Sequence, residues 1–296
     1  MTFLVLGEAL VDLVAEPGTW RFGVVPGGSP LNVAVGLAAA DQPVRLASRV
    51  GTDLYGDLVR AHLRRHGVDP RDLQVTAEPT SLAIGRLGPD GAARYEFQGQ
   101  PGQLGQVGLD RADWLHVGSL AALLEPGASA VQDAVAQANR RGVPVSYDPN
   151  LRPSLLGTRE QTRPAVERLV AAASVVKASE EDLTWLYPDT APRLTAQRWA
   201  RLGPPLVIVT RGPAGAIAWH RGRWLACAAP AVAVVDTIGA GDGFTAGLLA
   251  ALARRADVPE ALRWATATGA AVCLRRGAGP ADPATVASLV RAIPQP

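Results

Sequence analysis

Short apolar runs of strand length alternate with longer runs of helical period from Phe3 almost to the end of the chain, and this rhythm leaves few folds open. Phe3 to Gly7 reads as a buried strand and Ala9 to Val14 as a looser one ending in a Pro17-Gly18 turn. Ser29-Pro30 then opens a helix, because serine caps orphan amides and proline suits the first helical turn. Val33, Val35, Leu37 and the neighbouring alanines supply its packing face. Val44 to Val50 is the next strand, and Leu54 to His66 the next helix, closed by Gly67. Further strands are predicted at Trp114 to Val117, Val143 to Tyr147, Ser174 to Lys177, Leu206 to Thr210 and Ala231 to Val235. Two helices, Gly243 to Arg255 and Pro259 to Arg276, close the chain. Such α/β alternation implies a mostly parallel sheet with helices on both faces and ligands beyond the carboxyl ends of its strands.

The rhythm changes between Thr80 and Gln100. Leu82, Ile84 and Leu87 lead into Pro89-Asp90-Gly91, after which Tyr95 and Phe97 alternate with polar residues, the pattern of a hairpin. A short all-β insertion of this kind is either an edge hairpin or a lid over a site. The 296 residues allow two domains, but continuous alternation favours one α/β domain over 1–296, with a small β part built from segments near 15–27 and 80–100.

With 48% hydrophobic and 19% charged residues and a net charge of +2, the composition is that of an ordinary globular protein. A chain this long buries roughly 75% of its unfolded surface and needs no disulfide or metal support. Cys227 and Cys273 lack the spacing of a zinc or redox site, so both are expected to be reduced and structural. The apolar start is interrupted by Glu8 and Asp12 and carries no basic leader, unlike a signal peptide. Every other apolar run is shorter than the ~20 residues of a membrane helix. A cytoplasmic protein without a membrane partner is the expectation. The pI of about 8.8 raises nucleic acid as a partner, but the cations are scattered. Arg64-Arg65, Arg254-Arg255 and Arg275-Arg276 each fall at a predicted helix end, which argues against it.

The most informative segment runs from Val234 through Asp236-Thr237-Ile238-Gly239-Ala240-Gly241-Asp242 to Phe244. Three glycines in five positions permit a sharp turn, and the amides that open the following helix make an anion site. Asp242 sits among those amides, where a carboxylate can take a proton from a hydroxyl while the N–H groups hold phosphoryl charge. A capping aspartate at a glycine-rich helix start is the plainer reading. A P-loop is excluded, because the only lysine, Lys177, follows no glycine loop. Gly241-x-Gly243-x-x-Ala246 matches a dinucleotide fingerprint in form, but Glu260 falls at a helix start where a strand-ending acid is required.

At these residues the sequence resembles the ribokinase-like (PfkB) carbohydrate kinases. Asp236 to Asp242 is similar to their C-terminal signature. Gly27-Gly28-Ser29-Pro30-Leu31-Asn32-Val33-Ala34, continuing to Arg49-Val50-Gly51-Thr52-Asp53-Leu54-Tyr55-Gly56, is similar to their N-terminal one. Gly7-Glu8 with Asp12, Asp148-Pro149-Asn150-Leu151-Arg152, and Val209-Thr210-Arg211-Gly212 with Gly215 agree, so the resemblance spans the chain. It implies that the β insertion is a lid, through which a homodimer can form.

The resemblance further implies an ATP- and magnesium-dependent kinase acting on a primary hydroxyl of a small neutral sugar, fructose above all. A 2-keto-3-deoxygluconate kinase is the alternative within the family, and a dinucleotide oxidoreductase or a non-catalytic sugar-binding relative lies outside that reading. Carried over residue by residue, Gly239, Ala240 and Gly241 form the anion hole and Asp242 is the base. Asp12, Gly27, Gly28, Asn32, Tyr95 and Arg152 meet the sugar, Arg152 either at its distal end or merely paired with a surface acid. Lys177, Ser179, Thr210, Gly212 and Gly215 line the nucleotide side, and the carbonyls of Asp236 and Ile238 are where potassium is expected. The family commonly carries Asn-x-x-Glu near the metal, whereas this chain reads Ser179-Glu180-Glu181-Asp182. Asp182 is therefore expected to reach magnesium through water, or else simply to favour the positive end of its helix. The Tyr-x-Arg that reads a substrate carboxylate in sugar-acid kinases is replaced by Tyr95-Glu96-Phe97.

Overall fold

The structure is a computed structural model that describes residues 1–15, 19, 21–87, 93–100, 104–105 and 107–294, and the side chains of all of these except 86, 87 and 93–95. The expected turns at Pro17-Gly18 and Pro89-Asp90-Gly91 lie outside the described residues. Among the described residues the strands are β1 (Phe3–Leu6), β2 (Leu10–Ala15), β3 (Phe22–Gly27), β4 (Val44–Gly51), β5 (Leu73–Thr76), β6 (Leu82–Leu87), β7 (Ala93–Gln98), β8 (Trp114–Gly118), β9 (Val145–Asp148), β10 (Val175–Ser179), β11 (Leu206–Thr210), β12 (Ala216–His220) and β13 (Arg223–Cys227). The α-helices are α1 (Ser29–Ala39), α2 (Leu54–Arg65), α3 (Gly127–Arg140), α4 (Arg159–Ala172), α5 (Glu180–Leu186), α6 (Pro192–Ala200), α7 (Ala240–Ala253), α8 (Val258–Val272) and α9 (Pro283–Ala292).

Nine strands form one sheet in the order β13-β12-β11-β10-β9-β8-β1-β4-β5, parallel except for β12 and β13 at one edge. The period of two along a strand explains how both faces are covered. Phe3 and Val5 of β1 point into one core with α1, α7 and α8, whereas Leu4 and Leu6 point into the other with α3, α4 and α6. All four residues are fully buried.

A second, four-stranded sheet has the order β3-β2-β6-β7. It contains both segments expected in the β insertion and also β2, which lies between β3 and β6. The Gly51–Gly56 motif anchors its approach. Asp53 caps α2 by accepting from the Gly56 amide at 2.8 Å and also holds Thr80 through its amide at 2.7 Å and its hydroxyl at 2.8 Å.

Three expectations are corrected. Ala231 to Val235 is not a strand, because the amides of Val235 and Asp236 both donate to the Cys273 carbonyl beyond the end of α8, and Val234 and Val235 are exposed. The strands at that edge are instead β12 and β13. The chain also closes on a further helix, α9, beyond the two expected. Finally, Ser29 does not cap α1. Gly28 is the cap residue and the Ser29 side chain points elsewhere.

Candidate active site

Strand β1 lies where the order of the sheet reverses, with β4 on one side and β8 on the other. The crevice beyond the carboxyl ends of such strands is where open α/β sheets receive ligands. A cavity of about 360 Å³ opens there. Asp12, Gly28, Asn32, Arg152 and Asp242 all line it, as do Gly239 and Gly241, so residues up to about 230 positions apart in sequence converge on one cavity. Phe97 also lines it, while Glu96 is exposed. Tyr95 pairs with Gly85 across the hairpin, and its side chain lies outside the described residues. Gly27 and Ala240 are not in the lining. Gly27 packs against the Asp12 carboxylate.

The glycine turn is built from below. Gly239 adopts the left-handed conformation (φ 78°), and an added Cβ there would lie 2.6 Å from the Ala278 side chain. Asp236 ties the turn down, accepting from the Ile238 amide at 3.0 Å and the Gly277 amide at 2.9 Å. The Ala240 amide donates to the Thr237 carbonyl at 3.2 Å, which corrects its expected place in the anion hole. The amides of Gly239, Gly241 and Asp242 have no partner among the described residues. They sit at the start of a 14-residue helix, where the backbone dipole also favours negative charge.

Asp242 is buried beside these amides. Its Oδ1 accepts from the Ser29 hydroxyl at 2.6 Å and its Oδ2 from the Asn32 amide nitrogen at 2.8 Å. Both donors belong to α1, so the N-terminal motif positions the acid of the C-terminal one. Burial raises the Asp242 pKa above the ordinary aspartate value, against the pull of the two hydrogen bonds and of Lys177. A carboxylate tuned upward and aimed at a cavity is suited to accept a proton at neutral pH. Burial likewise pushes Asp12 up to about 6, with Arg152 opposing the shift.

Behind the turn lies an ion pair. Lys177 Nζ donates to Asp148 Oδ2 at 2.8 Å, with side chains only 6% and 1% exposed. Burial works against the lysine charge, but Asp148 outweighs it and leaves the ammonium above its ordinary range. An added Cβ on Gly241 would lie 3.1 Å from Lys177 Nζ, which places the cation under the anion turn. Ser179 and Thr210 face each other at the carboxyl ends of β10 and β11. Gly212 and Gly215 follow at φ 50° and 82°, with the Arg211 amide donating to the Gly215 carbonyl at 2.8 Å. None of these four is in the cavity lining.

Asp182 is more heavily engaged than expected. Its Oδ2 accepts from the Ser179 amide at 3.2 Å in a capping box, and its Oδ1 holds the Leu151 amide at 2.9 Å. No group of three or more His, Cys, Asp or Glu side chains among the described residues is arranged to hold a metal ion. Further cavity residues went unassigned in the sequence reading: Glu8, Ser29, Ser119 and Asn150. Their signal was position, since each lies within two residues of a strand's end or opens the helix after one.

Residues 3–285 match the family model described as pfkB family carbohydrate kinase. A fructokinase of Vibrio alginolyticus is 34% identical over 98% of each chain. Among solved structures, a fructokinase double mutant of Vibrio cholerae O395 bound to fructose, ADP and potassium superposes with a TM-score of 0.89 at 30% identity, covering 98% of both chains. A putative ribokinase II of E. coli in complex with ATP and magnesium superposes with a TM-score of 0.87 at 26% identity, covering 98% of this chain and 99% of the other. With both signatures joined at Asp242 in one cavity, and the match running nearly end to end, the chain belongs to the pfkB family of carbohydrate kinases.

Proposed function

We propose that this protein transfers the γ-phosphoryl group of ATP to a primary hydroxyl of fructose. The observation that carries the reading is the Asp242 carboxylate, held by Ser29 and Asn32 on the cavity wall beside three unpaired amides. Asp12, Asn32 and the Gly28 backbone bind sugar hydroxyls and set the ring against Phe97 and Leu10. Asp242 takes the hydroxyl proton as the sugar oxygen bonds to the γ-phosphorus. The bond from that phosphorus to the bridging oxygen breaks, and ADP leaves. Gly239, Gly241 and Asp242 donate amides to the transferred group, with Lys177 beneath them. Phosphoryl transfer of this kind rests on positioning and charge stabilisation. The four-stranded sheet closes over the sugar as a lid on a single α/β body and excludes water.

Lys177, Ser179, Thr210, Gly212 and Gly215 form the nucleotide side. Magnesium, when bound with ATP, neutralises phosphate charge. The donor set fits an ion carried mostly by water and phosphates, because Asp182 retains lone pairs beyond its two amides and the buried Asp148 Oδ1 has no hydrogen-bond partner. Asp182→Ala is expected to lose about 1 kcal/mol with the hydrogen bond it accepts from the Ser179 amide and to raise the magnesium concentration for half-maximal rate. A magnesium titration left in place would reduce Asp182 to a structural role. The carbonyls of Asp236 and Ile238 are the proposed potassium ligands.

Charge in the cavity argues for a neutral sugar. Glu8, Asp12 and Asp242 face one guanidinium, Arg152, which is itself folded onto Asn150 Oδ1 at 2.8 Å. We accordingly expect kcat/KM for fructose to exceed that for 2-keto-3-deoxygluconate. A tenfold advantage for the sugar acid in parallel assays would overturn the substrate assignment.

A homodimer through the small sheet is the proposed assembly. Val14, Phe22, Val24 and Val25 leave 37–49% of their surface exposed there, an apolar face that a second copy can cover. The free, buried cysteines and the lack of any described helix long and apolar enough to cross a membrane agree with a cytoplasmic site of action.

A further inference from the structure

Glu8 lines the sugar cavity, yet the chemistry above gives it no part. It follows β1 at the reversal point of the sheet and is only 3% exposed. The Ala121 amide donates to its Oε2 at 3.1 Å, and the Ser119 side chain also stabilises the carboxylate. Both partners belong to the tight turn after β8, which begins in a strained conformation. Ser119 has φ 57° and ψ −148°, a region that residues other than glycine rarely enter and that persists only where surroundings enforce it. The Ser119 amide is fixed from the other side by the Asp148 carbonyl at 3.0 Å. Ser119 and Leu120 are themselves cavity wall.

We infer that Glu8 is a positioning residue for sugar affinity: it holds the strained Ser119 turn so that Ser119 and Leu120 present a fixed wall to the ring. The inference rests on the sugar-kinase reading but not on fructose in particular. Burial pushes Glu8 up to about 7, with Ser119, Ala121 and Arg152 opposing the shift, so the acid is costly to bury where it stands. A hydrogen-bonding group of this length, rather than a negative charge, is what the turn requires, and glutamine should therefore replace it.

The test compares Glu8→Ala, Glu8→Gln and Ser119→Gly with the best sugar of a panel as substrate. Glu8→Ala is expected to raise the sugar KM about tenfold, the loss of one buried hydrogen bond, while kcat and the KM for ATP stay within about threefold. Glu8→Gln should restore the sugar KM. Ser119→Gly relieves the backbone strain, so it should fold at least as well as the parent and still raise the sugar KM, which decides the matter if Glu8→Ala does not fold. An unchanged sugar KM in Glu8→Ala or Ser119→Gly would overturn the inference, as would a fall in kcat alone or a glutamine variant as impaired as the alanine one. If the best sugar is not fructose, the substrate assignment fails while the Glu8 comparison still stands or falls on that sugar.

Discussion

Asp242→Asn is expected to lower turnover by about 10²- to 10⁴-fold, the usual contribution of a positioned general base, with sugar affinity nearly unchanged. The structure shows why the site should survive. The new amide oxygen can keep the hydrogen bond from Asn32, now 2.8 Å from Oδ2, and its NH₂ can donate to the Ser29 hydroxyl, which rotates to accept. Shape and wall are retained, and the proton acceptor is lost. Equilibrium sugar binding and turnover should be measured on the same preparation. A variant that keeps half of wild-type turnover would leave Asp242 a structural partner of Ser29 and Asn32 and not the base.

The second large effect is expected at Lys177. Lys177→Met keeps most of the apolar stem of the side chain but strands Asp148, whose Oδ1 already has no hydrogen-bond partner and whose side chain is 1% exposed. Removing one member of a buried pair typically costs about 3–5 kcal/mol, because the remaining charge is left without compensation. Adding Asp148→Asn removes that charge and should return much of the stability. Urea unfolding of the single and double variants reads both terms. A single variant within 1 kcal/mol of wild type, estimated on the same scale, or a double variant less stable than the single, would show that the pair is not the strut described here.

Much of this was legible in the sequence, for reasons that differ by element. The central strands were readable because burial on both faces forces continuous apolar runs such as Phe3–Leu6 and Leu206–Thr210. The anion turn was readable because only glycine tolerates the backbone at Gly239, leaving a mark in the sequence. The β12–β13 hairpin was not. Its two-residue turn is Arg221-Gly222, with φ of 48° and 78°, and arginine is no signal for a conformation that Asn-Gly usually fills.

Ala231–Val235 misled for the opposite reason, since its β-branched residues suit a strand but its amides are taken by Cys273. Helix α9 is announced by Asp282-Pro283, where Asp282 caps the Thr285 amide at 2.8 Å. The Asp148–Lys177 pair could be foreseen only in halves. A lysine within Val175–Ser179 and an acid ending Val145–Asp148 each demand a partner when buried, but only the sheet order makes their strands neighbours. Glu8 and the Ser119 strain depend on which strand ends meet, which no local pattern records.

Mixing the wild-type protein with ATP, magnesium and fructose and following the phosphorus by NMR tests the central claim most directly. The expected result is ADP accumulating in step with one phosphomonoester of fructose at a primary carbon. Release of inorganic phosphate without a sugar ester, or no consumption of ATP when fructose is added, would contradict it.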